Sequence, residues 1–134
     1  MVKLLTVNTG HQGLFEFTRE LQQLVEGSGI TEGLCTLLIQ HTSASLIIQE
    51  NADPSAKHDL EAWLNRLVPE RDSLYTHTLE GADDMPAHIK SVLTSPSLSI
   101  PVLNGRLCLG TWQGVYCWEH RHCSSCRQIA VHID

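Results

Sequence analysis

Ser97-Leu-Ser-Ile-Pro-Val-Leu-Asn-Gly-Arg-Leu-Cys-Leu-Gly-Thr-Trp112 carries two apolar runs parted by a single Asn-Gly pair. Asn104-Gly105 between two apolar runs supplies the two central residues of a tight hairpin, because both tolerate the positive φ that such turns require. The pattern predicts strands over Ser97–Leu103 and Arg106–Trp112. Gly114 and a Cys-Ser-Ser turn then separate two further expected strands, Val115–His122 and Arg127–Ile133. Working outward, Val2–Val7 reads as an opening strand. Leu14, Phe17, Leu21, Leu24 and Val25 recur at helical spacing until Gly27 and Gly29 stop the run. Gly33–Glu50 reads as two strands joined around the polar kink at His41. Asp53-Pro54 opens a helix with Leu60, Trp63, Leu64, Leu67 and Val68 on one side, ended by Pro69. Leu74–Leu79 alternates weakly, as a short strand would, and a last helix is expected from about Pro86 to Leu93. Strands and helices do not alternate as in a doubly wound fold. The expected class is therefore α+β, with antiparallel β-sandwich-like sheets and two or three helices in a single domain over residues 1–134.

The chain has 134 residues, 9 Lys and Arg against 15 Asp and Glu, and a formal net charge of −6. That balance argues against a nucleic-acid partner, which needs a basic face. No window approaches the ~20 apolar residues of a membrane-spanning helix, and the amino end lacks a signal-peptide pattern, so the expectation is a cytoplasmic protein without a membrane partner. Five cysteines are then expected as thiols. Cys123-Ser-Ser-Cys126 has a zinc or redox spacing. It lacks a second pair of ligands and a following helix, so a hairpin turn with two incidental cysteines is the preferred reading.

The chemistry gathers in the stretch from His77 to Ile89, His-Thr-Leu-Glu-Gly-Ala-Asp-Asp-Met-Pro-Ala-His-Ile. Asp83 and Asp84 place carboxylates at a helix start, and His88 follows Asp84 at four residues' distance, where both can share a face. Such a start suits a bound anion or metal. The same residues also serve as a plain helix cap with a solvated His. Elsewhere, His41-Thr42-Ser43 breaks two apolar strands with an imidazole and hydroxyls. Glu50 and Asn51 lie at a strand-to-helix junction, and Gly110-Thr-Trp-Gln113-Gly114 suggests a bulge or a ligand contact. In Glu119-His120-Arg121, strand alternation sends Glu119 and Arg121 to one face, which favours them as a functional pair. A nucleophile elbow, a phosphate loop and a dinucleotide glycine fingerprint are all absent.

Taken in order, His41-Thr-Ser-Ala-Ser-Leu46, Glu50-Asn-Ala-Asp-Pro54, Asp59-Leu-Glu61, Glu80-Gly-Ala-Asp-Asp-Met-Pro-Ala-His-Ile-Lys-Ser91, Gly110-Thr-Trp-Gln-Gly114 and Glu119-His-Arg121 resemble the YjbQ family of uncharacterised proteins. The resemblance runs from about Leu34 to the C-terminus. It implies a sandwich-like fold, a homotrimer and a weak secondary thiamine-phosphate synthase activity, a transferase reaction joining a hydroxymethylpyrimidine pyrophosphate to a thiazole phosphate with release of pyrophosphate. Cys117, Cys123 and Cys126 depart from the family pattern, and no function is carried over to them.

A pyrophosphate leaving group needs its developing negative charge stabilised, usually by a divalent cation, here Mg or Zn, held on carboxylates together with cationic side chains. On this reading Asp83, Asp84, His41 and His88 are candidate metal ligands, and His41, Asp84, His88 and Glu119 the candidate catalytic set. Thr42, Ser43, Asn51, Lys90, Gln113 and Arg121 are candidates for binding a small phosphorylated metabolite. Two other classes fit the same residues. One is a transition-metal hydrolase centred on His41, His88 and His120; the other is a non-catalytic anion-binding trimer.

Overall fold

A computed structural model describes residues 1–123 and 126–134. Eight strands and three helices follow one another as β1 (Val2–Asn8), β2 (Gly13–Glu16), α1 (Thr18–Ser28), β3 (Glu32–Ile39), β4 (Ala44–Glu50), α2 (Pro54–Leu67), α3 (Asp84–Leu93), β5 (Ser97–Leu103), β6 (Arg106–Leu107), β7 (Gln113–Glu119) and β8 (Cys126–Ile133). They form two antiparallel sheets, one in the order β1-β8-β3-β5-β6 and the other β2-β7-β4. The α+β, antiparallel expectation holds.

Alternation places Cys35, Leu37, Ile39, Ile100, Val102, Ile129, Val131 and Ile133 on one face of the larger sheet, and Leu46, Val115 and Cys117 on the facing side of the smaller one. Leu21 and Val25 of α1 pack into the same core. A second cluster lies on the far side of the small sheet, where Leu14, Tyr116 and Trp118 meet Leu64 and Val68 at the end of α2. Strand β7 is thus covered on both faces and reads as an almost unbroken buried run, as a central strand between two layers should. Burial pushes the Cys117 thiol up to about 12 and the Cys35 thiol to about 11, so both behave as small apolar groups.

Four expected elements differ. The first helix starts at Thr18, because Leu14 and Phe15 pair with Trp118 and Cys117 as strand β2. The expected strand Arg106–Trp112 stops at Leu107: the Leu109 N–H bonds back to the Leu107 carbonyl and the Gln113 N–H to the Gly110 carbonyl, so residues 109–112 leave the ladder. Leu74–Leu79 is no strand. Asp72 accepts from the backbone N–H groups of Leu74 and Tyr75, the segment pairs with no strand among the described residues, and Leu79 is 99% exposed. Helix α3 begins at Asp84, not Pro86, and Pro86 is tolerated in a first turn whose N–H groups lack intrahelical partners anyway. Trp63 and Leu67 of α2 are exposed while Leu64 is buried, so the apolar stripe of that helix is only partly used. The cysteine turn lies at residues 124–125, outside the described residues.

One end of the two sheets is closed by a buried ion pair. Arg127 of β8 donates from Nε to Oε1 of Glu119 of β7 at 2.8 Å, and from Nη2 to Oε2. Glu119 also accepts from Thr9 Oγ1 at 2.8 Å and from the Arg121 N–H at 3.1 Å, and Arg127 donates to Ser43 Oγ at 2.9 Å. Burial alone would raise the Glu119 carboxyl, but these donors hold it below the usual carboxylate range. Next to it, His120 is fully buried with Nε2 against Ser45 Oγ at 2.9 Å and Nδ1 without a partner among the described residues.

Two outcomes follow. Arg127→Met leaves a buried carboxylate unpaired and should lower unfolding stability by roughly 3–5 kcal/mol in urea titrations. His120 is held neutral mainly by burial, its value pushed from 6.5 to about 3. The unfolded chain therefore takes up this proton first, and stability present above pH 6.5 is lost as pH falls toward 3. His120→Leu should reduce the slope of stability against pH between about 6 and 4.5 by up to one proton, about 1.4 kcal/mol per pH unit.

Candidate functional site

The loop after α2 and the start of α3 bring three donor atoms together: His77 Nε2, Asp84 Oδ2 and His88 Nε2, all within 4.8 Å of one another. Asp84 and His88 stand one helical turn apart on α3, and their Oδ2 and Nε2 are 3.0 Å apart. His77 comes in from the loop, with its Nε2 2.6 Å from the same Oδ2. Asp84 is 2% exposed, whereas both imidazoles reach the surface. Its other oxygen accepts from Arg121 Nη1 at 2.6 Å. Burial works to raise the Asp84 carboxyl, but the His77 hydrogen bond and the Arg121 charge prevail and hold it below its ordinary range.

The orientation of His88 is fixed from outside the helix. Its Nδ1 lies 3.0 Å from the Thr42 carbonyl, and a carbonyl can only accept, so Nδ1 carries a proton. A neutral His88 therefore turns the bare lone pair of Nε2 toward a carboxylate oxygen 3.0 Å away. Two acceptors at that distance repel unless a proton or a cation lies between them.

The remaining expected residues divide among three places. Asp83 does not join the cluster: its Oδ2 accepts from Arg121 Nε at 3.1 Å and from the His122 N–H at 2.9 Å, so it holds the arginine that in turn holds Asp84. Burial pulls the Asp83 carboxyl upward, yet those donors leave it below its ordinary range. His41 is separate from His88. Its Nε2 accepts from the Gln128 N–H at 2.9 Å and its Nδ1 faces Arg127 Nη1 at 3.2 Å, so neither nitrogen is open to a metal. Burial, followed by the Arg127 charge, lowers its basicity. Ser43 serves the same arginine, and Thr42 contributes its carbonyl to His88.

Glu119 and Arg121 are linked only through the Arg121 backbone N–H. Strand β7 ends at Glu119, so the alternation that would have paired the two side chains ends with it. The Arg121 guanidinium turns to Asp83, Asp84 and the Glu80 carbonyl instead. Lys90 is 2% exposed and donates to Asn65 Oδ1 at 2.6 Å; burial lowers its basicity, and it offers no surface cation to a phosphate. His120 lies in the core, away from the cluster. Asn51 and Gln113 sit at the opposite end of the small sheet, since Glu50 pairs with Gln113 while Ala44 pairs with Glu119. A strand of that length puts roughly 20 Å between those ends. There Asn51 donates to Glu16 and Gln113 accepts from the Gly110 N–H.

His77 is the donor that sequence reasoning left off the ligand set. It opens the same stretch rich in acids and imidazoles, seven residues before Asp84, but reading Leu74–Leu79 as a strand hid the loop that folds it back.

A family model described as UPF0047 protein YjbQ-like matches residues 3–134. UPF0047 protein sll1880 from Synechocystis sp. is 51% identical over 132 residues, covering 98% of this chain and 90% of that protein. UPF0047 protein YjbQ from Escherichia coli O157:H7 is 48% identical over 131 residues, covering 96% of this chain and 94% of that protein. Among solved structures, an uncharacterised conserved protein of the YjbQ/UPF0047 family from Clostridium acetobutylicum superposes with a TM-score of 0.90 at 32% identity, covering 98% of this chain and 99% of that one. A conserved hypothetical protein from Thermus thermophilus gives 0.88 at 34% identity, covering 98% of this chain and 99% of that one. With the matches spanning both sheets and the His77–His88 stretch, the chain belongs to the YjbQ-like UPF0047 family, whose function is uncharacterised.

Proposed function

We propose that this protein is a metal-dependent hydrolase of a small phosphorylated metabolite, with His77, Asp84 and His88 holding a divalent transition metal. The carrying observation is the convergence of His77 Nε2 and His88 Nε2 on Asp84 Oδ2, with Thr42 taking the Nδ1 proton of His88 and so leaving its Nε2 to meet a proton or a cation. Two imidazoles and one carboxylate suit zinc better than magnesium. This favours hydrolysis over the magnesium-assisted loss of pyrophosphate that the family resemblance implied. Bound by three side chains, zinc would supply a Lewis acid with an open fourth position for water or a substrate oxygen. The chain's own part is orientation. Arg121 fixes Asp84 through Oδ1 and leaves Oδ2 for the cation, and the Thr42 carbonyl sets the rotation and tautomer of His88.

The outer face of the larger sheet supports assembly with further copies of the chain. Register aligns Leu4, Ala130 and Leu38 in one row across three strands, and Leu4 is 64% and Leu38 49% exposed. A homotrimer formed through that face is the reading we adopt. No helix among the described residues is long and apolar enough to cross a membrane.

Elemental analysis of untagged protein after zinc loading and dialysis should give one zinc per chain, reduced to trace in Asp84→Asn and His88→Ala, with hydrolysis of phosphate esters lost in parallel. Arg121→Met should retain the fold and weaken zinc by about ten- to hundredfold, the usual cost of losing an orienting partner. Affinity for zinc should fall as pH is lowered, because protons compete for the imidazole lone pairs. Condensation of a hydroxymethylpyrimidine pyrophosphate with a thiazole phosphate is the comparison assay. If that proceeds with magnesium while zinc is neither bound nor needed, the hydrolase reading is wrong. Retention of a phosphorylated metabolite without any turnover would overturn catalysis altogether.

A further inference from the structure

A cleft of about 190 Å³ lies against His77 and does not reach Asp84 or His88. Arg71, Asp72, Tyr75 and Thr78 of the loop after α2 line it together with His77 itself and Met85 of α3. His77 is therefore a shared wall: its Nε2 belongs to the cluster with Asp84, and its ring borders the cleft. The volume is below the roughly 300–1,000 Å³ of sites that enclose a whole drug-sized ligand. It fits one end group of a molecule whose remainder lies in the open.

The positive charge in the cleft comes from Arg71, with Asp72 as the opposing charge. Arg121 and Arg127 are consumed by Asp83, Asp84 and Glu119, whereas the Arg71 side chain has no hydrogen bond or ion pair among the described residues. Asp72, the opposing charge, uses Oδ1 to accept from the Leu74 N–H at 2.9 Å. The Tyr75 hydroxyl donates to the Pro69 carbonyl at 2.9 Å, which fixes its ring in place. Arg71 also has φ +58, a left-handed conformation that costs a residue with a side chain roughly 1–2 kcal/mol. The other non-glycine residue at positive φ, Asn104, sits in the tight hairpin turn where this is ordinary. Strain at a lone guanidinium beside a cleft is a pattern typical of a ligand clamp.

We infer that this cleft binds a second oxyanion group of the substrate, a carboxylate or a further phosphate remote from the ester that is cleaved, with Arg71 as the recognition cation and Thr78 as a supporting hydroxyl. The reacting part of the molecule is thereby delivered past His77 to the cluster with Asp84 and His88. The assignment rests on the function proposed above for its role in turnover, but the anion site itself does not require the metal.

The test is calorimetric titration of inorganic phosphate and, separately, of acetate into the full-length protein, once with zinc and once after chelation. Arg71→Asn removes the charge while keeping a side chain that accepts positive φ; Arg71→Lys keeps the charge. Phosphate or acetate should bind wild type in both metal states, and whichever binds more tightly identifies the end group. Arg71→Asn should weaken that anion by about tenfold or more, as expected for loss of a charge-assisted contact, with melting temperature and zinc content unchanged. Arg71→Lys should retain part of the affinity. Equal anion affinity in wild type and Arg71→Asn, or no binding of either anion in either metal state, overturns the inference. Arg71-dependent binding with no zinc uptake would leave the anion site standing and remove the metal.

Discussion

The bidentate pair between Glu119 and Arg127 joins the end of the small sheet's central strand to the start of a strand in the larger sheet, and the site is built on top of it. A carboxylate and a guanidinium taken out of water oppose folding unless each finds its partners. Here Thr9, Ser43 and the Arg121 N–H complete the set. Those same residues fix the segment from His41 to Ser43 and the exit of β7. From that segment comes the Thr42 carbonyl that sets His88, and from that exit comes the Arg121 side chain that sets Asp84. The pair supplies none of the three clustered atoms, yet both orienting contacts of the cluster begin at its partners.

The fold class was readable because its signals are local. Asn104-Gly105 marks a hairpin through the backbone angles its own residues tolerate, and Asp53-Pro54 marks a helix start through a side chain that accepts from the Ser55 N–H. What misled were segments whose state depends on distant partners. Arg106–Trp112 has strand composition, but the sheet offers pairing only as far as Leu107. Leu14 fits the helical spacing of α1 and is claimed by β7 instead.

The site was legible to the same extent. Asp84 and His88 follow from spacing on one helix. His77 arrives through a loop with no periodicity, and the fates of His41, Glu119 and Lys90 turn on burial, which single residues do not announce. A polar break in an apolar strand reads the same whether it faces a ligand or, as with His41 and Ser43, feeds an internal arginine. The motif order that identifies the family says which residues matter together without saying which of them touch.

All three donor atoms of the cluster come from residues 77–88, whereas Thr42 and Arg121, which orient them, lie tens of residues away in the chain. Closing so short a loop costs little entropy. A cation would therefore find the three donors even in the unfolded chain, so binding would discriminate less between folded and unfolded states than its affinity suggests. The distant contacts would supply the discrimination, by making the folded arrangement the tighter one.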